Sequence, residues 1–431
     1  MRKRYKKGSV VCLLALGMAC TTYGQTRQYS VEQCRTLALE NNARIKNANY
    51  ELQSAREEEK QAFTNYFPSV SATGFGFNAD KGTAQMNLAP GMEMSMLKNG
   101  LAGGIVATQP VFAGGQIVNG NKIAKLAVEM KQLQVQQSEK EVMLTAEQYA
   151  WQVLTLQEKL QTVLSVDTML QRICNEVEVS VNAGVALRND LLEVNLRRNE
   201  IASERINLEN GIALSKMLLA QYIGLEDTDF EITSRLMNQT AESLHMDSIF
   251  CDPASSLPLT PEYQLLEKNL KLYKLQHKIS IGKNLPTVGV GAGYMYHDFL
   301  DVDRSFGVIF ASISIPLSGW WGGSHAMKKQ KLQVKMAENE LMDKSQLLKI
   351  QMQKCWNDLE DAHKQLEIAS LSVEQASENF RLNRQYYQAG TITMTDLLNA
   401  QTLYQQNCDK YVDAIADCQI KRLKYLQATG R

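Results

Sequence analysis

A twelve-residue motif that occurs twice constrains this chain more than any other feature. Residues 181–192 read VNAGVALRNDLL and residues 387–398 read YQAGTITMTDLL, an offset of 206 positions. The same offset relates Pro110 to Pro316. A constant offset over such a span indicates a duplicated unit. We therefore expect the chain to fold as two related halves.

Each copy of the motif predicts a tight turn between two helices. Gly184 and Gly390 follow long helical patterns, and glycine reaches the left-handed conformation that ends many helices. Asp190 and Asp396 would then lie in the first turn of the next helix, where a carboxylate favours the helix dipole. Such first-turn carboxylates are also ordinary at helix starts. The motif predicts a helix–turn–helix tip, built twice.

Long helices are predicted between these tips and the middle of each repeat. Apolar residues recur every seven positions from Val128 to Val177, and the register continues from Val334 to Ala376. A strict seven-residue repeat of apolar residues indicates helices that supercoil around neighbouring helices. About 60 residues make a helix of about 90 Å. Shorter helices are predicted over 30–64, 187–223, 261–283 and 393–429.

Four short segments interrupt the helical pattern and read as membrane strands. They carry no Asp, Glu, Lys or Arg, and apolar residues alternate with small or polar ones. Their lengths approximate the 9–11 residues that a tilted membrane strand needs. The predicted strands cover about 66–78, 101–111, 285–297 and 305–317. The excess length of the first hairpin falls in a Gly- and Met-rich loop, 79–100.

The chain divides into four parts on this interpretation. Residues 1–24 read as a secretory signal peptide, because a basic run precedes an apolar stretch. Cys20 leaves lipidation open as an alternative. Residues 25–223 form the first repeat and 261–431 the second. Between them, 224–260 reads as a mixed equatorial segment that joins the halves and wraps outside the helices.

Four membrane strands cannot close a barrel, and an open edge in lipid is prohibitively costly. The chain is therefore expected to oligomerise, and three copies give twelve strands, a number known for such barrels. The predicted fold is mainly α with a membrane β-barrel. Its duplicated helix–β-hairpin–helix unit would build a homotrimeric twelve-strand barrel, continued by a long α-helical coiled-coil barrel.

This arrangement resembles the TolC-like outer-membrane efflux proteins over the whole mature chain. The resemblance rests on the duplicated unit, on Pro68 and Pro286 at the strand starts, on QPVFAGG at 109–115, and on the two tips. It implies a Gram-negative outer-membrane barrel in lipid above a tunnel across the periplasm. It also implies a periplasmic adaptor and an inner-membrane transporter of the RND or ABC type as partners.

The function implied is an exit duct that passes small molecules such as drugs, dyes or metals out of the cell. The channel of a type I protein secretion system is an alternative, because the pump selects the cargo. A trimeric coiled-coil surface protein is a weaker alternative, because it explains the heptads but not two internal hairpins.

The resemblance further implies roles for residues of the tips. Tyr387 would bond to Asp190 and hold a closed gate, with an acidic ring at Asp396; Ile392 stands where the family often has a gate arginine. The implied gate residues are Asp190, Glu193, Tyr387, Asp396 and Asn399. The implied adaptor-docking residues are Gly184, Leu191, Leu192, Gly390, Leu397 and Leu398.

Other classes of site have little support in the sequence. Trp320 and Trp321, at a predicted strand end, read as membrane-interface aromatics, with core packing as the alternative. Forty-six basic residues balance 46 acidic ones, so no basic stripe points to nucleic acid. The five histidines are scattered, and no nucleophile–base pair emerges. We therefore predict no enzyme, no cofactor and no metal site.

Overall fold

A computed structural model describes residues 27–80, 84–89, 92–96, 99–233, 249–299, 302–317 and 319–431. The predicted signal peptide, 1–24, and Cys20 lie outside the described residues. In chain order the helices and strands of the described ranges are β1 Arg27–Ser30, α1 Val31–Asn41, α2 Ala43–Thr64, β2 Ser69–Asn78, β3 Ala84–Ala89, β4 Met92–Met96, β5 Asn99–Ala113, α3 Gln116–Asn182, α4 Arg188–Ile223, β6 Phe230–Thr233, α5 Pro253–Ser256, α6 Pro261–Gly282, β7 Thr287–Phe299, β8 Val302–Ser314, α7 Gly319–Gln388 and α8 Met394–Ala428.

Two very long helices form the shaft of the molecule. The α3 helix has 67 residues and α7 has 70, or about 100 Å each at 1.5 Å per residue. Each runs from the sheet to a tip, from which α4 or α8 returns beside it. Within the described ranges, no helix is both long enough and apolar enough to cross a membrane.

The heptad positions of α3 lie in the core, which confirms the interpretation of the seven-residue period. Val142, Val163, Leu170 and Val177 are all buried. The corresponding stripe of α7 is less covered: Ala362 and Ala376 are buried, whereas the stripe positions from Val334 to Cys355 are only half-buried in the single chain. Helix α7 packs against α6 and α8 and lies at one edge of the protomer.

The four membrane strands form one antiparallel sheet in the order β2-β5-β7-β8. Its register aligns Ala72 with Ile105, Ile105 with Tyr294, and Ala292 with Ile309, so these side chains share one face. That face is apolar, and Ile309 on it is 88% exposed. The opposite face carries many Ser, Thr and Gly residues, but also the aromatic side chains of Phe75, Phe306 and Phe310. The predicted alternation of apolar and small or polar residues is therefore clearest in β7, whereas β2 and β8 carry apolar side chains on both faces.

The strand limits differ from the predicted ones, most clearly at the end of β8. This strand stops at Ser314 instead of 317, because Pro316 has no N–H to donate to the ladder. It begins earlier than predicted, at Val302, and includes the charged Asp303 and Arg304. As a correction, Trp320 and Trp321 lie in the first turn of α7 and not at a strand end.

Two further segments differ from the predictions. The described parts of loop 79–100 contain an antiparallel pair, β3 and β4, instead of irregular chain. The helix predicted over 30–64 is interrupted at Asn42, whose side chain caps α2 and donates to the Tyr222 carbonyl at 3.0 Å. That bond ties the break to the end of α4.

The equatorial segment lies against the middle of the shaft. In it, β6 pairs in parallel with β1, a strand that the sequence did not reveal. Phe230 on β6 is buried in the same core cluster as Trp151 and Tyr425. The Cys251 N–H donates to the Tyr425 hydroxyl at 2.8 Å. Residues 234–248 of the predicted segment lie outside the described residues.

Candidate functional site

The two tips have the same backbone geometry. Gly184 and Gly390 have φ of +74° and +73°, which confirms the predicted left-handed caps. At the first tip the Val185 N–H donates to the Ser180 carbonyl at 2.9 Å, a Schellman pattern that the second tip repeats. Nothing lies within 4 Å of a Cβ added to either glycine. The tips are thus open turns whose shape is set by their glycines.

The two first-turn aspartates differ in what they bind. Asp396 forms a capping box with Thr393, accepting from its N–H at 3.1 Å and from its hydroxyl at 2.7 Å. These bonds lower the pKa of Asp396. The first copy has Leu187 at the cap position, and Leu187 makes no side-chain capping bond. The carboxylate of Asp190 is therefore not held by a hydroxyl at the start of its own helix.

Asp190 instead lies near Tyr387, at the end of α7. Burial raises the pKa of the Tyr387 hydroxyl, and the charges of Asp190 and Glu193 raise it further. The residues predicted to meet at the gate are thus brought together within one chain. The described chain shows no hydrogen bond between Tyr387 and Asp190.

A different hydrogen bond joins the two tips. The Thr395 hydroxyl donates to Oε2 of Glu193 at 2.9 Å, and the Asn189 amide donates to Oε1 of the same carboxylate at 2.7 Å. Glu193 therefore connects the start of α4 with the start of α8. Asn399, at the repeat-equivalent position of Glu193, is exposed on α8.

The predicted docking leucines fall into two groups. Leu397 is only 1% exposed and packs in the core between the tips, so its side chain does not lie on a docking surface. Leu191 and Leu398 pack partly against the same cluster. Leu192 is 52% exposed, and Leu187 beside it is 70% exposed. The first tip therefore carries the apolar surface.

A buried polar cluster joins α4 to α8 above the tips. Arg197 donates through Nε to Oε1 of Gln401 and through Nη2 to Oε1 of Gln405, both at 3.1 Å. The Gln405 amide donates to Oε2 of Glu204 at 2.9 Å. Gln401 and Gln405 are 0% and 4% exposed. We call Arg197, Gln401, Gln405 and Glu204 the polar clasp.

The clasp lies about 14 Å from the tip, since Arg197 is nine residues into α4. Sequence reasoning did not find it. The available signal was the polar pair Gln401 and Gln405 on the stripe of α8 that also holds Met394 and Leu397, where apolar residues are expected. Polar side chains in a core must have partners, and here Arg197, Glu204 and a Gln401–Gln405 bond supply them.

A carboxylate cluster follows the clasp along the shaft. Lys159 of α3 pairs with Asp413 of α8 at 2.8 Å. Asp409, one turn earlier on α8, has a buried Oδ1 with no hydrogen-bond partner in the described chain. Burial raises its pKa to about 6; Glu204 and Asp413 add to the rise and Lys159 opposes it.

Aromatic residues mark the other end of the shaft. Trp321 is 81% exposed in the first turn of α7. The side chain of Trp320 lies outside the described part of the structure. A second exposed group, which sequence reasoning did not single out, lies where α2 leads into β2: Phe63 in the last turn of α2, and Tyr66 and Phe67 just after it.

A four-strand sheet with an apolar outer face, set on long paired helices with linked tips, defines the protomer of an outer-membrane channel. Comparisons agree with this class. A family model described as outer membrane efflux protein matches residues 35–225 and 268–431. This chain belongs to that family, so the resemblance to TolC-like proteins and the predicted outer-membrane location, extending into the periplasm, are confirmed.

Solved structures with the same fold cover most of the chain. CusC, studied for transmembrane channel formation, is 14% identical with a TM-score of 0.79, covering 93% of this chain and 92% of its own. VceC from Vibrio cholerae is 13% identical with a TM-score of 0.76, covering 93% and 96%. The open state of MtrE from Neisseria gonorrhoeae is 14% identical with a TM-score of 0.75, covering 93% and 88%. A search of curated proteins returned no match.

Proposed function

We propose that this chain is the homotrimeric exit duct of a tripartite efflux system, which carries small molecules from an adaptor–pump complex to the outside. The observation that carries the proposal is the pair of open edges on the protomer. Strands β2 and β8 each pair on one side only within the described sheet. Within a membrane, the backbone N–H and C=O groups of both edge strands need hydrogen-bond partners. The edge strands of further copies of the same chain supply those partners.

The helical edges support the same assembly. Exposed apolar side chains lie along the lower part of α7, including Ile368 and Leu371, and along α4, including Ile206 and Leu214. These helices lie at opposite edges of the lower shaft, so head-to-tail contact between copies would cover both and close a ring. Three copies give twelve strands, which is within the known range of such barrels.

The purified mature protein is accordingly expected to be a trimer. Light scattering with a detergent correction should give three chains per particle. As a control, Ile105→Lys introduces a charge on the lipid face of the central strand β5 without touching an edge strand, and it should lower barrel stability while leaving the number of chains at three. A stable monomer of the unmodified protein would contradict the proposal.

The first tip is the part of the protomer best suited to dock the adaptor. Its turn exposes Val185, Leu187 and Leu192, whereas the second tip has Thr391 and Thr393 at the positions equivalent to the first two. Fully burying one leucine contributes about 1.5–3 kcal/mol. An apolar helical partner is therefore expected to bind chiefly at the first tip.

Leu187→Glu is expected to weaken adaptor binding by at least about tenfold, since it removes this apolar contact and adds a charge. Crosslinking of adaptor to channel in cells, together with drug efflux, would measure the loss. Asn182→Glu adds the same charge at the same exposed turn without removing apolar surface, and it should have little effect. Equal loss in both variants would count against apolar docking.

The inner end needs a closed state, because an open duct would leak periplasmic contents. We infer that the gate is held at two levels between α4 and α8. Glu193 and Thr395 join the tips, and the polar clasp joins the helices above them. Splaying the second hairpin from the first would break both. Asp190 and Tyr387 lie beside the lower level and contribute charge and packing there.

A further inference from the structure

The helical end of the sheet carries a compact aromatic group. Phe63 packs edge-to-face against Tyr66 and Phe67, with ring centroids 5.5 and 5.6 Å apart. All three rings are exposed at the point where α2 ends and β2 begins. Aromatic side chains with one apolar and one wet side concentrate at membrane–water boundaries. The group therefore marks the level of the lipid headgroups.

A cleft of about 430 Å³ opens directly below this group, between α2 and α3. Phe63, Tyr66 and Val118 form its apolar wall. That wall continues from the aromatic group at the end of the sheet, whose apolar face meets hydrocarbon. Its volume lies within the range of small-ligand sites. The cleft thus adjoins the membrane boundary and has room for a polar headgroup.

Three lysines also line the cleft. Lys60 is already paired with Glu57 at 2.7 Å. Lys122 and Lys125, three residues apart on α3, have no ion-pair partner in the described chain. The nearest acid on that helix, Glu129, is bound to Lys268 at 2.5 Å. Two ammonium groups without an ion pair therefore stand beside an apolar wall, and the carboxylates of Glu59 in the cleft and Glu129 near Lys125 offset only part of their charge.

We propose that this cleft binds one anionic phospholipid from the periplasmic leaflet of the outer membrane. Its phosphate would lie between Lys122 and Lys125, and the start of an acyl chain would lie against Phe63 and Tyr66. The lysine stems cover apolar surface while their charges reach the phosphate. Glu59, which also lines the cleft, disfavours a second negative group and limits the site to a single headgroup.

Charge complementarity and continuity with the lipid-facing sheet favour a lipid over other occupants. A free phosphate meets the two ammonium groups but leaves the apolar wall empty. A segment of another copy would need acidic residues to match the lysines. Each basic residue near an anionic membrane surface strengthens the binding of anionic lipid. Removing two of them should therefore weaken lipid binding roughly 30-fold.

Native mass spectrometry of the detergent-purified assembly tests this site. Phosphatidylglycerol should be retained at one copy per chain, and phosphatidylcholine should not. Lys122→Gln/Lys125→Gln should show roughly 30-fold weaker retention. Lys122→Arg/Lys125→Arg keeps both charges and should retain the lipid. Lys131→Gln, lower on the same helix and paired with Glu51, should behave as the unmodified protein.

Three results would overturn the assignment. Equal retention of phosphatidylglycerol by the double glutamine variant would show that the lysines do not hold it. Competition by inorganic phosphate at concentrations near those of the lipid would assign the cleft to a soluble anion. Dissociation of the assembly in the glutamine variant but not in the arginine variant would place the cleft at a contact between copies.

Discussion

Arg197→Met is expected to raise the open probability of the channel in planar bilayers by about tenfold or more. The substitution removes both guanidinium bonds that cross from α4 to α8. It leaves the buried Oε1 of Gln401 without a donor and Oε1 of Gln405 with only the Gln401 amide, at 3.3 Å. Hydrogen bonds to a charged group are worth about 1.5–3 kcal/mol each. In the open state α8 has moved away from α4 and water can solvate the glutamines. The substitution therefore destabilises the closed state relative to the open state.

The size of the effect depends on how the subunits move. A difference of about 1.4 kcal/mol shifts an equilibrium tenfold. If three copies open together, the shifts multiply, and the open population rises by up to about 10³-fold. Cells that carry the variant should also become sensitive to large antibiotics that a closed duct excludes. Single-channel recording from purified protein gives the direct measurement.

Matched variants separate the clasp from general charge effects. Arg205→Met removes an arginine two turns away on the same helix, where it pairs with Glu209 on the surface, and should leave conductance unchanged. Arg197→Lys keeps the charge but lacks the planar set of donors that bonds two acceptors at once. Its effect on open probability should therefore lie between those of the unmodified protein and Arg197→Met. An Arg197→Met channel that assembles normally and conducts like the unmodified one would remove the clasp from the gate.

Tyr387→Phe is expected to have a smaller effect than Arg197→Met. Its hydroxyl makes no hydrogen bond to Asp190 in the described chain, so the substitution removes only a polar group near two carboxylates. Measuring both variants in the same bilayers would rank the two levels of the gate. A larger effect for Tyr387→Phe would place most of the closure at the tip.

Much of the fold was predictable because it repeats local patterns. The seven-residue stripe, the alternating strands and the two glycine turns each report a regular geometry that neighbours reinforce. Strand limits were less predictable, since Pro316 ends β8 through a missing donor while Asp303 and Arg304 extend its start. The pairing of β1 with β6 depends on contacts between distant segments, which no local pattern encodes.

The candidate site was predictable in place but only partly in chemistry. The motif located Asp190, Tyr387 and Asp396 at the tips. The different hydrogen bonding of Asp190 and Asp396, however, follows from a single residue difference between the two copies of the motif. Thr393 caps the helix start in the second copy and binds Asp396, whereas Leu187 cannot bind Asp190. The clasp was missed because its partners lie about 200 positions apart in sequence and meet only when the repeats pack side by side.

Acidification is expected to close the channel, through Asp409. This carboxyl group lies among Lys159 on α3, Glu204 on α4, and Asp413 and Cys408 on α8. Its pKa is raised from 3.8 to about 6 in the folded protein. The folded state therefore binds the proton more tightly than the unfolded state. The resulting stability is fully present below about pH 4 and is lost as pH rises through about 6.

Asp409→Asn should remove this pH dependence, because the amide is neutral throughout. At pH 7.5 the variant should be more stable than the unmodified protein by at most about 3 kcal/mol, the equivalent of a shift of about two pKa units. Thermal unfolding of the assembly from pH 4 to 8 gives the measurement. Asp413→Asn, one turn along α8, breaks the ion pair with Lys159 and should destabilise instead.

Asp409 also links pH to the gate, because Glu204 belongs both to the polar clasp and to the carboxylate cluster around Asp409. Glu204 accepts from Gln405 of the clasp and repels the charged form of Asp409. Protonating Asp409 relieves that repulsion and lets α8 pack more closely on α4, which favours the closed state. The open probability of the unmodified channel should therefore fall between pH 7.5 and 5.5, whereas Asp409→Asn should stay low at both. If the variant keeps the full pH response, the proton acts at another group.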